Sequence, residues 1–156
     1  MEEPLSQEKL KQIESAFYPK SIAVVGASTD EQKLGTKFLR SLLAHFKGKL
    51  YPINPTQPEI AGLKAYPNLR TVPEPVDYAI VCTPRDSLLD VALDCAAKGI
   101  KAVHIFSAGF SETGEDKYKR LEGKLVEIAK EGKFAIIGPN SLGMCCSASD
   151  LPLGPE

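Results

Sequence analysis

The fold is decided by the stretch Pro19-Lys20-Ser21-Ile22-Ala23-Val24-Val25-Gly26-Ala27-Ser28. Its centre, residues 22–25, is continuously apolar, which is typical of a strand that a parallel sheet covers on both faces. Gly26 follows at once and permits a tight turn. After a polar loop, apolar residues recur from Leu34 to Phe46 at the spacing of one helix face. The stretch therefore predicts a buried strand, a close turn and a helix.

The same order of strand, turn and helix recurs along the chain. Apolar runs that end at proline, glycine or polar residues predict strands at residues 49–53, 78–83, 101–106 and 133–137. Helical spacing predicts one helix capped by Asp86 and another over residues 115–131. Proline-rich residues 54–75 predict at most a short helical turn near residues 68–72. The alternation predicts an α/β fold, a doubly wound parallel sheet of about five strands in three α/β/α layers.

The two ends of the chain lie outside this pattern. Residues 1–18 predict an N-terminal helix capped by Ser6, with Leu10, Ile13 and Phe17 on one face. Residues 19–144 form the predicted domain, and residues 145–156 are expected to be a tail or the start of a linker.

The bulk composition argues against several classes of partner. Apolar residues make up 43% of the chain and charged residues 25%, which is typical of a globular protein. A net charge of −1 without a basic stripe argues against nucleic acid. No apolar run approaches the ~20 residues that cross a bilayer, and the N-terminus lacks a secretory pattern. We therefore expect a cytoplasmic protein with no nucleic-acid or membrane partner.

The cysteines and histidines show no catalytic or metal-binding spacing. No C-x-x-C pair is formed by Cys82, Cys95, Cys145 and Cys146, so we expect reduced thiols and no metal site. His45 falls in a helical pattern and His104 within a strand, and we expect both to be structural. No serine lies in a nucleophile motif with an acid and a histidine, so we expect no catalytic residue.

The candidate ligand site is the set of loops beyond the carboxyl ends of the strands, where open parallel sheets bind ligands. These loops begin at Gly26, Asn54, Thr83, Ser107 and Gly138.

The first loop is the most informative of the five. Gly26 lets backbone approach a ligand closely, the hydroxyls of Ser28 and Thr29 follow, and the next helix presents the positive end of its dipole. Together these features suit a pyrophosphate, with Lys33 adding charge and Gly35 allowing the helix to pack on the strand. An alternative remains open, in which Gly26 only makes a turn and the hydroxyls only cap the helix.

The second strand argues against a nicotinamide cofactor. NAD domains usually carry an acid at the end of this strand for the ribose hydroxyls. The sequence here is Tyr51-Pro52-Ile53-Asn54-Pro55-Thr56, with neither an acid nor an arginine. The first loop also lacks the G-x-G-x-x-G pattern.

Motifs at all five strand ends resemble those of one family. The opening stretch, Tyr51-Pro52-Ile53-Asn54-Pro55, Pro73-Glu74-Pro75-Val76-Asp77, Ser107-Ala108-Gly109-Phe110 and Gly138-Pro139-Asn140-Ser141-Leu142-Gly143 occur in order. In this order they resemble the Rossmann-like CoA-binding domain of NDP-forming acyl-CoA synthetases, relatives of the succinyl-CoA synthetase alpha subunit. Ser141 departs from the pattern, because relatives often carry cysteine there.

The resemblance implies that coenzyme A is the ligand. The CoA phosphates would lie near the first loop, adenosine near the Asn54 turn, and the pantetheine arm between the Thr83 and Ser107 loops, with Asn140 near the reactive end. The implied binding residues are Gly26, Ala27, Ser28, Thr29, Lys33, Gly35, Asn54, Pro55, Thr56, Thr83, Pro84, Ser107, Ala108, Gly109 and Asn140.

The resemblance also implies parts that this sequence does not supply. In the family, a phosphohistidine in a following domain and an ATP-grasp unit perform the chemistry, and neither fits after Glu156. We therefore expect a CoA- or acyl-CoA-binding module of an ADP-forming acid-thiol ligase, such as an acetate-CoA ligase, or of a related acyltransferase, and no catalysis by this chain alone. Two alternatives stay open: an NAD(P)-binding domain of an oxidoreductase or redox sensor, and a stand-alone CoA-binding regulatory protein.

Overall fold

The computed structural model describes residues 6–141 and 143, together with the backbone of residues 144–146 and 151–153. The α-helices are α1 Gln7–Phe17, α2 Leu34–His45, α3 Leu88–Lys98 and α4 Asp116–Gly132. The strands are β1 Ser21–Val25, β2 Lys49–Ile53, β3 Glu59–Ile60, β4 Leu63–Lys64, β5 Tyr78–Val81, β6 Ala102–Ile105, β7 Ala135–Ile137, β8 Met144–Cys146 and β9 Leu151–Leu153.

Five of these strands form a parallel sheet in the order β2-β1-β5-β6-β7. The chain runs from β1 outward to β2 and then crosses to β5 on the other side of β1. Strand order therefore reverses between β1 and β5, and this switch point is where doubly wound sheets bind ligands. The predicted Rossmann-like, five-stranded parallel architecture is confirmed.

Side chains of β1 point alternately to two apolar layers. Ala23 and Val25 belong to the layer that packs under α3 and α4, whereas Ile22 and Val24 pack under α2. All five residues of β1 are buried. Because each buried Val or Ile contributes about 1.5–3 kcal/mol, the continuous apolar run fixes β1 at the centre of the sheet.

Two local features differ from the predictions. The short turn near residues 68–72 is present as a 3₁₀ helix, Leu69–Thr71, but residues 54–75 also contain the antiparallel β3–β4 hairpin, which was not predicted. Asp86 does not cap α3, because it lies inside a 3₁₀ turn, Arg85–Ser87, that precedes the helix.

The ends of the chain differ as well. Ser6 caps α1 as predicted, with its hydroxyl accepting a hydrogen bond from the Lys9 amide at 3.3 Å, but Leu10 is 50% exposed rather than packed. Residues 145–156 were predicted to be a tail or linker, but β8, which begins at Met144 and extends into them, pairs with β9 in antiparallel fashion. The domain boundaries remain predictions, and residues 1–5, 142, 147–150 and 154–156 lie outside the described part.

The outer side of β2 is occupied. The Pro52 carbonyl accepts a hydrogen bond from the Tyr66 amide at 3.0 Å, and the Asn54 amide donates to the Tyr66 carbonyl at 2.9 Å. Pro52 itself has no N–H to offer on that side. None of the helices in the described residues is long and apolar enough to pass through a bilayer.

Candidate functional site

Gly26 lies at the switch point, directly after β1, with a φ of +91°. A Cβ atom on Gly26 would lie 3.1 Å from the carbonyl carbon and oxygen of Cys82 and 3.2 Å from the Thr83 methyl. Both its backbone conformation and this close approach require glycine. The turn therefore presents backbone without a side chain at the point where the ends of β1 and β5 lie side by side.

The start of α2 rests on this turn. A Cβ on Gly35 would lie 2.7 Å from the Gly26 carbonyl carbon and 2.9 Å from the Ala27 nitrogen, so Gly35 allows the close helix-to-strand packing that was predicted. Lys33 occupies the N-cap position, and its side chain makes no capping hydrogen bond. The positive end of the α2 dipole thus begins beside Gly26 without a side-chain cap.

The hydroxyls of Ser28 and Thr29 are engaged within the protein. Ser28 is buried, and its Oγ accepts a hydrogen bond from the Asp30 amide at 3.2 Å. The Thr29 Oγ1 accepts from the Gln57 Nε2 at 2.5 Å. Each hydroxyl keeps one hydrogen to donate.

Thr36 holds the same turn from within α2. Its Oγ1 donates to the Ser28 carbonyl at 2.7 Å and accepts from the Ser28 amide at 3.2 Å. Sequence reasoning missed this residue, since nothing in a helical pattern marks a threonine that turns back to a loop eight residues earlier.

Asn54 joins the β2 loop to the β1 loop. Its Nδ2 donates to the Ala27 carbonyl at 2.8 Å, and its Oδ1 accepts from the amides of Thr56 and Gln57 at 2.9 and 3.0 Å. Gln57, which was not predicted, also accepts from the Thr29 amide at 3.0 Å. We call residues 26–36 and 54–57 the first wall.

A second wall consists of residues 82–85, 107–113 and 140, at the ends of β5, β6 and β7. The Ser107 hydroxyl donates to the Thr83 carbonyl at 2.5 Å, and the Asn140 amide donates to the Ser107 carbonyl at 3.0 Å. All five predicted loops therefore meet at one edge of the sheet. Among residues 6–141, side-chain hydrogen bonds link the loops within each wall but do not join the two walls.

Arg85 and Glu112 complete the second wall and were missed by sequence reasoning. Arg85 Nη1 donates to the Gly109 carbonyl. The Glu112 carboxylate accepts hydrogen bonds from the amides of Gly109 and Phe110 at 2.6 and 2.9 Å. No sequence signal marks these charged residues, because both resemble ordinary solvated loop positions.

Thr83 Oγ1 is buried and has no hydrogen-bond partner among the described residues. The hydroxyls of Ser41 and Tyr78 are also buried and unpaired among the described residues, but they lie away from the carboxyl ends of the strands. The Thr83 hydroxyl lies at the switch point, where a ligand acceptor would supply the missing partner. The fit is consistent with a phosphate-bearing nucleotide, because bare backbone, a helix dipole and an unpaired donor converge there.

Two groups on the second wall, Cys82 and Glu112, have shifted pKa values. Burial raises the pKa of the Cys82 thiol to about 12, so the thiol is protonated at neutral pH. The Gly109 amide, with smaller contributions that include the Phe110 amide and the Arg85 guanidinium, lowers the pKa of Glu112. Burial lowers the pKa of His104, which is fully buried beside Phe38 and outside both walls.

The remaining predicted residues lie on the rims of the two walls. Pro55 and Thr56 are exposed at the end of the first wall, and the Thr56 hydroxyl donates to Asn54 Oδ1 at 3.1 Å. Pro84 and Ala108 are exposed on the second wall. The exposed side chain of Lys33 stands where the first wall meets α2.

Relatives of known sequence share most of this chain. The family described as CoA binding domain matches residues 20–147. The alpha subunit of ADP-forming acetate–CoA ligase II of Pyrococcus furiosus is 42% identical over 135 residues, which cover 86% of this chain and 29% of that protein. The ADP-forming acetate–CoA ligase II of Archaeoglobus fulgidus is 44% identical over 129 residues, which cover 82% of this chain and 19% of that protein. The chain thus spans less than a third of either relative.

Solved structures agree with the sequence relatives. The dinucleotide-forming acetyl-coenzyme A synthetase 1 of Candidatus Korarchaeum cryptofilum, in complex with phosphate and ADP, matches with a TM-score of 0.86 and 42% identity over 91% of this chain and 30% of that chain. A conserved hypothetical protein from Pyrococcus furiosus matches with a TM-score of 0.58 and 29% identity over 76% of this chain and 93% of that chain. The resemblance inferred from the strand-end motifs is confirmed: this chain belongs to the CoA-binding domain family, with coenzyme A as its ligand.

Proposed function

We propose that CoA lies in the cleft between the two walls, with its pyrophosphate against Gly26 and the start of α2. The bare Gly26 backbone and the uncapped positive end of the α2 dipole support this placement. Lys33 is near enough along the chain to add a positive charge at the same end of the helix.

The unpaired Thr83 hydroxyl is the observation that carries the proposal, because it gives the cleft a buried donor with no other use in the described residues. We assign the adenosine to the Asn54, Pro55 and Thr56 turn. The pantetheine arm then runs along Thr83 and Pro84 on one side and residues 107–109 on the other, toward Asn140.

The wider role that we propose is the CoA-binding part of an ADP-forming acyl-CoA synthetase. The names and greater lengths of the two ligase relatives support it. In such an enzyme the cleft would hold the CoA thiol toward an acyl phosphate made elsewhere, so that the sulfur–carbon bond forms as phosphate leaves. This chain would contribute positioning, and further domains or a partner subunit would supply the phosphohistidine and ATP-grasp parts.

Ligand titration tests the CoA placement. We expect CoA at about 100 times its dissociation constant to add about 2.7 kcal/mol to the free energy of unfolding. NADH and NADPH at the same concentrations are expected to leave the melting temperature unchanged. A shift with NADH and none with CoA would overturn the proposal.

A second candidate is a stand-alone CoA-binding regulatory protein. One observation favours it, namely that this chain covers 93% of the hypothetical protein from Pyrococcus furiosus. The mass of the protein in its native cells separates the candidates, because a synthetase subunit would be far larger than 16.9 kDa or would co-purify with one. Cell fractionation would test the predicted cytoplasmic location.

A further inference from the structure

We propose that Arg85 is a positioning residue that fixes residues 107–109 in the shape required by the pantetheine arm. The inference rests on the CoA site proposed above and assigns a specific task to one side of it. Arg85 itself need not touch CoA, since it would act through the loop backbone.

Arg85 reaches across the second wall from the loop after β5. Its Nη1 donates to the Gly109 carbonyl in the loop after β6, and its guanidinium carbon lies 3.6 Å from the centre of the Tyr118 ring on α4. A planar guanidinium that stacks on a ring and bonds at its edge is held in one orientation. The side chain thus connects the β5 loop, the β6 loop and α4.

Gly109 is shaped to receive this guanidinium. Its φ is +93°, and a Cβ atom there would overlap Arg85 Nη1 and lie 3.4 Å from Arg85 Cζ. The guanidinium therefore occupies the space that a side chain at residue 109 would need. A larger residue at 109 would displace Arg85 from the loop.

Glu112 holds the loop from its amide side. Its carboxylate binds the amides of Gly109 and Phe110, while Arg85 holds the Gly109 carbonyl. Phe110 is fully buried and anchors the loop in the core. The positively charged Arg85 thus binds the carbonyl of Gly109, and the negatively charged Glu112 binds its amide.

The contacts of Arg85 and Glu112 fix the conformation of the loop at the edge of the cleft, and the overall fold depends on them less. Phe110 already fixes the loop to the core, whereas Ser107, Ala108 and Gly109 reach the cleft edge and include an exposed residue. A loop that is already ordered before binding does not lose that freedom when CoA binds, and this preorganisation raises affinity. The expected benefit is confined to the part of the ligand that touches the loop.

The test compares CoA with 3′-phospho-ADP, which lacks the pantetheine arm, by calorimetry on the whole chain. We expect Arg85→Gln to weaken CoA binding about tenfold and 3′-phospho-ADP binding less than about twofold. Arg85→Lys is expected to be intermediate, because the lysine ammonium can donate to the Gly109 carbonyl but is not planar and does not stack on Tyr118. The matched control is Arg70→Gln, which removes an exposed arginine paired with Asp94 at 2.6 Å outside both walls.

Two further measurements keep the inference falsifiable if Arg85→Gln folds poorly. Tyr118→Leu removes the stacking surface and is expected to cause the same selective loss to a smaller degree. Millimolar guanidinium is expected to restore CoA affinity to Arg85→Ala and to leave the wild type unchanged, which a general packing role would not produce.

The outcomes separate the two proposals. If the wild-type chain fails to bind CoA, the proposed function is wrong. If it binds CoA and Arg85→Gln binds CoA equally well, the role of Arg85 is overturned and the function stands. Equal losses for CoA and 3′-phospho-ADP would also overturn the assignment of this loop to the pantetheine arm.

Discussion

The Thr83 methyl lies 3.2 Å from the point that a Cβ atom on Gly26 would occupy. This pair lies where the two walls meet, because Gly26 directly follows β1 and Thr83 comes just after the neighbouring strand β5. The two loops then diverge, one toward α2 and one toward α3. The shape of the cleft at this point depends on a missing side chain on one strand and a buried hydroxyl on the next.

Gly26→Ala should weaken CoA binding through steric blockage as well as backbone strain. The strain of a side chain at positive φ costs about 1–3 kcal/mol, and the added methyl would also press on the Cys82 carbonyl at 3.1 Å. We expect at least a tenfold loss of CoA affinity by calorimetry, together with a lower melting temperature.

Gly99→Ala is the matched control for that substitution. Gly99 ends α3 with a φ of +74°, and a Cβ there would have no neighbour within 4 Å. It should lower the melting temperature through strain and leave CoA affinity unchanged. Equal CoA affinities for the two variants would contradict the steric role of Gly26.

Thr83→Val should change stability and binding in opposite directions. Valine has the same shape but lacks the unpaired hydroxyl, so the free energy of unfolding should stay the same or rise by about 1 kcal/mol. CoA affinity should fall about fivefold, the equivalent of one lost hydrogen bond.

Thr36→Val is the control for loss of a buried hydroxyl that is satisfied. Thr36 Oγ1 makes two hydrogen bonds to Ser28, so its removal should lower the free energy of unfolding by about 1–3 kcal/mol. Chemical denaturation of both variants provides the measurement. A destabilised Thr83→Val would show that the Thr83 hydroxyl has a partner within the protein.

Asn54→Asp should loosen the first wall. Aspartate keeps the acceptor used by the Thr56 and Gln57 amides but loses the donor to the Ala27 carbonyl at 2.8 Å and places a negative charge there. We expect a loss of about 1–3 kcal/mol in the free energy of unfolding and weaker CoA binding. Asn68→Asp should change stability by less than about 0.5 kcal/mol, because Asn68 Oδ1 only accepts, from the Thr71 amide.

Glu112 should make stability depend on pH in the acid range. Its pKa in the folded chain lies below the ordinary value of 4.5, chiefly because of the Gly109 amide. The carboxylate therefore stabilises the fold above that ordinary value, and this contribution is lost as pH falls through the lower folded pKa.

The melting-temperature difference between wild type and Glu112→Gln should accordingly be larger near about pH 6 than near about pH 3. Glu59→Gln, at the exposed position of β3 and outside both walls, is the control for the loss of a surface carboxylate. A difference that is constant with pH would mean that the Glu112 charge does not hold the loop.

The parallel sheet was predictable because a run of apolar residues marks each of its strands in the sequence. Every apolar run became a strand of the parallel sheet, and β1 and β2 have the predicted bounds. The β3–β4 hairpin was missed, because strands of two residues such as Glu59–Ile60 show no period. The exposure of Leu10 was also missed, since an apolar face in a sequence does not reveal whether another element covers it.

The positions of the site loops were predictable, whereas the hydrogen bonds that join one loop to another were not. Positions such as Gly26 and Ser107 follow from where strands end and from the family motifs, and their contacts with CoA remain predictions. Gln57 meets Thr29 from 28 residues away, and Arg85 meets Gly109 from 24 residues away. Such contacts depend on how the crossovers bring loops together, which the spacing of residues does not encode.

Pro52 and Tyr66 have a consequence for how this sheet can be extended. Tyr66 takes the outward hydrogen-bonding position beside Pro52, and proline offers no N–H there. Strand addition by a neighbouring chain, the usual route by which an exposed sheet edge aggregates, is therefore blocked at the carboxyl end of β2. The opposite edge strand, β7, contains no proline to oppose such pairing.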